Sequence, residues 1–202
     1  MRSSATSMVR QSPSLFSLSL QGLLLAFLCY HSLYFLRTPI LELGNADYFL
    51  HGPNLIFHEA GHVLFGIFGK PLLTSFGGSL FQFLVPALLA LAFIIKNRDL
   101  YATGIMAWWA GQNLVDVAPY INDARSLSLI LIGGHTGREV EGHDWEFILT
   151  ELDLLSRDIY IARDVLLAGR IVMILSLAIA ALAICWALWS RQNRPLPQEP
   201  GY

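Results

Sequence analysis

The sequence predicts an all-α, polytopic membrane protein of about five transmembrane helices with one interfacial helical insertion. Of its 202 residues, 54% are hydrophobic and only 14% are charged, whereas about a quarter of the residues in soluble domains carry charge. Residues 15–36, 72–95 and 171–189 contain no Asp, Glu, Lys or Arg. Each run approaches the roughly 20 residues that a helix needs to cross the hydrocarbon core. We therefore expect an integral, multi-pass protein of the plasma or inner membrane, in contact with the lipid bilayer.

Apolar runs and turn residues define the five expected membrane helices, at about residues 15–36, 48–68, 78–95, 100–120 and 167–189. Gly69-Lys70-Pro71 ends the second helix, because proline is excluded from a helix interior. Polar residues 96–99 form the turn between the third and fourth. Pro86 lies inside the third helix, where a membrane helix tolerates a kink.

Residues 123–166 differ from the rest of the chain and are expected to form an extramembrane or interfacial insertion. Apolar side chains recur at helical spacing among charged ones, at Trp145, Ile148, Leu152, Leu155 and Ile159, the pattern of an amphipathic helix. The expected organisation is an N-terminal tail (1–14), a membrane region with the candidate site (15–122), the insertion (123–166), a last membrane helix (167–190) and a disordered, proline-containing tail (191–202).

The stretch His58-Glu59-Ala60-Gly61-His62 is an H-E-x-x-H motif with apolar residues on both sides. On a helix, side chains four residues apart share a face, so the two imidazoles can hold one zinc ion. Glu59 can take a proton from a water that the metal activates. Metal binding explains why such polar groups lie in an apolar helix, where unpaired they are costly. The alternative is a polar helix face that lines a small cavity without metal.

A catalytic zinc site needs a third protein ligand and an open position. In the fourth expected helix, Asn113, Asp116, Tyr120 and Asp123 lie on one stripe, because they are three or four residues apart. The second and fourth helices should run parallel, and at about 1.5 Å per residue Asp116 matches the depth of the histidines better than Asp123 does. Asp116 is therefore the preferred ligand. Its alternative role is bonding to a polar neighbour or lining a water-filled cavity.

Two further segments carry candidate site residues. His143 and Asp144, in a glycine-containing stretch before Trp145, can fold back to supply a ligand, bind substrate or orient a ligand. Alternatively, they form an exposed polar turn in which Asp144 caps the next helix. Gln82 in the third helix can donate to a substrate backbone or an oxyanion, or only contribute to helix packing.

These residues resemble the site-2 protease family of intramembrane zinc metalloproteases. That family has H-E-x-x-H in one transmembrane helix and an aspartate ligand two helices later, in an Asn- and Pro-containing segment that ends in Leu-Asp-Gly. The matching segment here runs from Asn113 to Asp123 and contains Pro119, although Leu-Asp-Gly is absent and the Asn-to-Asp spacing differs. The segment from Gly77 to Gln82 is similar to the family's glycine-containing stretch with an amide side chain. The likeness covers residues 48–123.

Motif and resemblance together predict a zinc metalloendopeptidase that hydrolyses peptide bonds in or near the membrane. Zn²⁺ would be held by His58, His62 and Asp116, with Glu59 as the base, and the substrate would be a membrane protein or a peptide. The alternative is a catalytically inactive zinc-binding scaffold or partner-binding protein, or a hydrolase acting on lipid. The net charge of −2 and the lack of a basic stripe give no reason to expect nucleic acid as a partner.

Overall fold

The computed structural model describes residues 13–44 and 48–193, and the expected all-α class is confirmed within those ranges. The helices are α1 (Leu15–Arg37), α2 (Ile40–Leu43), α3 (His51–Gly66), α4 (Pro71–Ala92), α5 (Leu100–Asn122), α6 (Asp144–Glu151) and α7 (Asp158–Gln192). A π-helical turn (Phe93–Asn97) extends α4, and a 3-10 turn (Leu155–Arg157) precedes α7. The expected tails, 1–14 and 191–202, lie mostly outside the described residues.

Among the described residues, three helical segments are long and apolar enough to cross a membrane: Leu15–Arg37, Pro71–Asn97 and Leu155–Gln192. Only 17% of the most apolar window in the first and third of these is buried inside the protein. Most of their leucines and isoleucines therefore face outward, as lipid-exposed side chains do. The number of spans that meet this criterion is smaller than the five expected, because α3 has only 16 residues and α5 carries several polar side chains.

Contacts with α1 fix the directions of α5 and α7. The Tyr101 hydroxyl donates to the carbonyl of Gln21, and the Trp108 indole donates to the Ser32 hydroxyl, so α5 runs parallel to α1. At the end of α1, the Arg170 guanidinium donates to backbone carbonyls. At the other end, Arg191 of α7 donates to the carbonyl of residue 13. Consequently α7 runs antiparallel to α1.

The chain turns back between α1 and α3 instead of crossing to the other end of the bundle. Near the end of α3, His62 contacts the carbonyl of Thr74 at the start of α4. Phe57, earlier in α3, packs on Phe81, later in α4. The two helices are therefore antiparallel. Because α4 and α5 are joined by a tight turn, α3 then runs in the same direction as α1 and α5. The connections 38–50, 67–70 and 123–143 all lie at one end of the bundle.

Small residues allow α5 to pack closely against α7 in the core. A Cβ on Gly111 would lie 2.9 Å from the carbonyl oxygen of Gly169, and one on Gly104 would lie 2.8 Å from the carbonyl oxygen of Ser176. Such close backbone approach is typical of helix pairs in membranes. The fully buried Val115 and Met173 fill the same interface. This packing places α5 between α7 and the candidate site.

The second half of the insertion is helical, but not as one continuous amphipathic helix, and residues 123–143 form turns and loops. The residues after α6 break the helix, and Asp153 takes a left-handed conformation with φ of 54°. The last helix begins at Asp158, earlier than the expected residue 167. The reason is that Ala162 and Leu166 pack into the protein, so tertiary contacts extend the helix beyond its apolar run.

Candidate metal centre

The two histidines of the H-E-x-x-H motif converge with Asp144. The Nε2 atoms of His58 and His62 each lie 3.2 Å from Oδ2 of Asp144. One ligand atom from each residue lies within 4.8 Å of the other two. Two imidazoles and a carboxylate are a donor set found in catalytic zinc sites. The structure therefore brings the histidines together with an acid of the insertion, at the first residue of α6.

Hydrogen bonds orient both imidazoles toward this acid. Nδ1 of His58 lies 3.1 Å from Oε1 of Gln82, and Nδ1 of His62 lies 2.9 Å from the carbonyl oxygen of Thr74. Both partners are acceptors, so each Nδ1 carries a hydrogen. In the neutral ring the lone pair is then on Nε2, the atom that faces Asp144. Metal-binding histidines commonly have this arrangement.

Glycines clear the space beside the Nε2 atoms. A Cβ on Gly78 would lie 2.6 Å from Nε2 of His62 and 2.7 Å from Nε2 of His58. A Cβ on Gly61 would lie 2.3 Å from the carbonyl oxygen of Gly77. The absence of side chains lets α3 and α4 approach and leaves room for a small cation at the convergence point. The residues present thus fit a zinc ion by donor type, by ring orientation and by the available space.

Asp144 is held in place by α4 and α5. Its backbone N–H donates to the hydroxyl of Tyr120 at 2.9 Å, and that hydroxyl lies 3.3 Å from Oδ2. The next residue, Trp145, donates from its indole to Ser79 at 3.1 Å. Burial tends to raise the pKa of Asp144, but protons on Nε2 of His58 and His62, which a bound metal would replace, donate to its carboxylate and hold that pKa at about 2. Asp144 is therefore a carboxylate at neutral pH.

His143, not Asp144, is the N-cap of α6. Its Nδ1 accepts a hydrogen bond from the backbone N–H of Glu146 at 3.1 Å. The ring is buried, packs on Tyr120 with centroids 4.3 Å apart, and places Nε2 3.4 Å from Asp123. Burial lowers the pKa of His143, although Asp123 and Asp144 oppose this. Of the two alternatives, the exposed polar turn capped by Asp144 is wrong, because His143 is buried and caps α6 itself, and the segment folds back onto α4 and α5.

The side chain of Asp123 forms hydrogen bonds with the loop that follows α5. Its carboxylate accepts from the backbone N–H groups of Ser128 and Leu129 at 2.9 and 3.0 Å, and from the hydroxyls of Ser126 and Ser128. Burial tends to raise the pKa of Asp123, but these hydrogen bonds lower it. The structure does not bring this acid to His58 or His62.

Asp116 also lies apart from the converging Nε2 atoms. Its Oδ2 accepts from the side-chain amides of Asn54 at 2.9 Å and Gln82 at 2.8 Å. The depth argument from sequence places Asp116 near His58, but Gln82 lies between them, on the Nδ1 side of the ring. Asn113 bonds to the carbonyl of Trp109 in its own helix, outside the group.

Glu59 is exposed and lines a cavity of about 690 Å³ together with His58, His62 and Asp144. Residues 129–132 and 140–142 form part of the cavity wall. A second cavity of about 760 Å³ shares Asp144 and neighbouring residues with the first. The second cavity therefore adjoins the first at Asp144, whereas His58 and His62 line only the first.

Comparison with known proteins adds no assignment. No family model, curated protein or solved structure matches this chain. Its function has to be argued from the site itself. Two residues around the candidate site, Tyr120 beside Asp144 and Asn54 beside Asp116, belong to no sequence motif. The stripe of polar side chains along α5 indicated Tyr120 as a candidate, but no sequence feature indicated Asn54.

Proposed function

We propose that this protein is an integral-membrane zinc peptidase in which His58, His62 and Asp144 hold the metal. The observation that carries the proposal is the convergence of both Nε2 atoms on one carboxylate oxygen, at 3.2 Å each. Three protein ligands leave one tetrahedral position open, as catalysis requires. When bound, zinc would polarise a substrate carbonyl and lower the pKa of water.

Glu59 acts as the general base in this proposal. It follows His58 directly, is exposed to the cavity and belongs to no ligand group. Its carboxylate takes a proton from the attacking water and later passes it to the leaving amine. The cavity is large enough to admit a peptide segment beside this carboxylate.

We further propose that α1, α4, α5 and α7 each cross the membrane. In this proposal α3 does not cross, because the chain before and after it lies on the same side of the membrane as the candidate site. In support, the ring of Tyr48, just before α3, lies 5.1 Å from that of Phe35 in the last turn of α1, and α3 ends beside the start of α4. The polar α5 is tolerated at membrane depth because the other helices surround it. The substrate is then a membrane-protein or peptide segment that reaches the site from the interface, where Ile130 and Ile132 are largely exposed.

The test is zinc content and cleavage by the purified full chain in detergent. We expect about one zinc per chain in the wild type and its loss in His58→Ala and Asp144→Ala, whereas Asp164→Ala, which removes an exposed acid of α7, retains it. Zinc that persists in His58→Ala and Asp144→Ala would rule out the proposed site.

Catalysis is tested separately, with a library of labelled peptides that contain an apolar segment. Glu59→Gln should keep the metal and abolish cleavage, and Glu42→Gln, an exposed acid on α2, should cleave normally. Cleavage that survives in Glu59→Gln contradicts the role of Glu59. Zinc binding without cleavage by the wild type would instead favour a zinc-binding scaffold.

A further inference from the structure

We infer that Asp116 is a positioning residue, which acts through Gln82 to fix the tautomer in which His58 binds the metal. The inference rests on the proposed zinc site and assigns Asp116 a role other than that of ligand. The three side chains form a continuous hydrogen-bonded path: 2.8 Å from Gln82 Nε2 to Asp116 Oδ2, and 3.1 Å from Gln82 Oε1 to His58 Nδ1. All three residues are buried.

The hydrogen bonds that Asp116 already makes leave no lone pair for a metal. The amides of Asn54 and Gln82 occupy Oδ2, while the hydroxyl of Tyr48 and Nδ1 of His51 occupy Oδ1. A carboxylate offers about four acceptor positions in total. With four neighbours at hydrogen-bonding distance, Asp116 is saturated, and its buried charge is satisfied without an ion.

The direction of each hydrogen bond along the path is fixed by groups that have only one role. The indole of Trp109 can only donate, and it meets Oδ1 of Asn54 at 2.9 Å, so the NH₂ group of Asn54 faces Asp116. The carboxylate of Asp116 can only accept, so Gln82 must turn its own NH₂ group toward it. Oε1 of Gln82 then faces His58 as an acceptor.

The orientation of the Gln82 amide decides which nitrogen of His58 is free to bind the metal. Because Oε1 of Gln82 accepts, Nδ1 of His58 carries the hydrogen, and Nε2 keeps a free lone pair on the side of Asp144. If the amide of Gln82 were reversed, Nδ1 would have to accept, and the hydrogen on Nε2 would stand where the metal binds. Partners of this kind commonly change metal affinity by about 10–100-fold.

The experiment measures zinc affinity of the full chain by competition with a chromophoric chelator. Asp116→Leu and Gln82→Leu should each weaken binding by about 10–100-fold, and the double variant should be no weaker than the singles, because both changes interrupt one path. Asp116→Asn should stay near the wild type, since its amide oxygen can replace Oδ2 while its NH₂ group faces Tyr48 and His51. The matched control is Gln112→Leu, which removes another partner of Asn54 but no atom of the path, and it should also bind normally.

Each outcome bears on one claim. If Asp116→Asn loses zinc as completely as Asp144→Ala, Asp116 is a ligand and the inference is wrong. It is also wrong if Asp116→Leu binds normally, if the two leucine changes add, or if Gln112→Leu is as weak as Asp116→Leu. By contrast, a wild type without zinc, or an Asp144→Ala variant with normal affinity, is a failure of the proposed site itself.

Discussion

Substituting Gly78 by alanine tests whether the space beside the two histidines is a metal site. The added methyl would lie 2.6 Å from Nε2 of His62 and 2.7 Å from Nε2 of His58. Non-bonded heavy atoms prefer separations of about 3.5–4.0 Å, so the rings must move by close to 1 Å or the helices must separate. Zinc ligation needs both nitrogens at about 2.0–2.1 Å from one point, and the methyl competes for that point.

The effects on stability and on the site should therefore separate. Alanine in place of glycine stabilises a helix by about 0.5–1 kcal/mol, while overpacking costs about 1–3 kcal/mol. The net change in unfolding free energy should lie between zero and about 2.5 kcal/mol of destabilisation. A displacement near 1 Å at a catalytic centre can cost about 100-fold in rate, and we expect a loss of that order in Glu59-dependent cleavage, with a parallel loss of zinc affinity.

The assay compares thermal unfolding and chelator-competition zinc affinity in Gly78→Ala and in Gly22→Ala. Gly22 is the matched control, because it lies within a helix and a Cβ there would meet no heavy atom within 4 Å. Gly22→Ala should bind zinc normally and be equally or more stable. Wild-type zinc affinity in Gly78→Ala would refute the assignment of this space to the metal.

Three further predictions concern the framework. Asp123→Asn should destabilise the protein by about 1–3 kcal/mol, measured by thermal unfolding. Because folding lowers the pKa of Asp123, the full difference from the wild type should appear above a pH of about 4 and shrink as the pH falls below it. A difference that does not depend on pH would contradict this explanation. Arg170→Met removes two bonds to the end of α1, at 3.0 and 2.6 Å, and should cost about 1–3 kcal/mol in urea unfolding; no loss would mean that the arginine does not hold α1. Gly111→Ala places its Cβ 2.9 Å from the carbonyl of Gly169 and should cost about 1–3 kcal/mol, measured against Gly22→Ala as the tolerant position.

The motif residues could be assigned from sequence because helix geometry alone brings His58 and His62 to one face. The acid that meets their Nε2 atoms could not be assigned in this way, because its identity depends on how a long insertion folds. Asp116 and Asp144 both lie near His58, and the depth argument correctly places Asp116 at that level. What separates them is the side of the imidazole ring that each one meets, and no spacing along the chain encodes it.

The limit on predicting the membrane topology is similar. Apolar composition identifies the candidate helices, but residues 55–68 read the same whether the segment crosses the bilayer or returns to the side from which it came. Tertiary contacts decide this: those of His62 with Thr74 and of Phe57 with Phe81 give the direction of α3, and that of Phe35 with Tyr48 shows where the chain enters it. The early start of α7 at Asp158 has the same origin, since packing extends a helix that hydropathy alone begins later.

The bond between Arg191 and the carbonyl of Pro13 has a practical consequence for locating the site in a cell. It holds both ends of the described chain on the face opposite α6 and the converging histidines. If α1 and α7 cross the membrane as proposed, a fluorescent or phosphatase reporter joined next to residue 13 or residue 193 reports the compartment on the side away from the candidate metal centre. Under the proposed function, the compartment on the other side provides the water for hydrolysis and the zinc, so a single fusion experiment identifies the source of both.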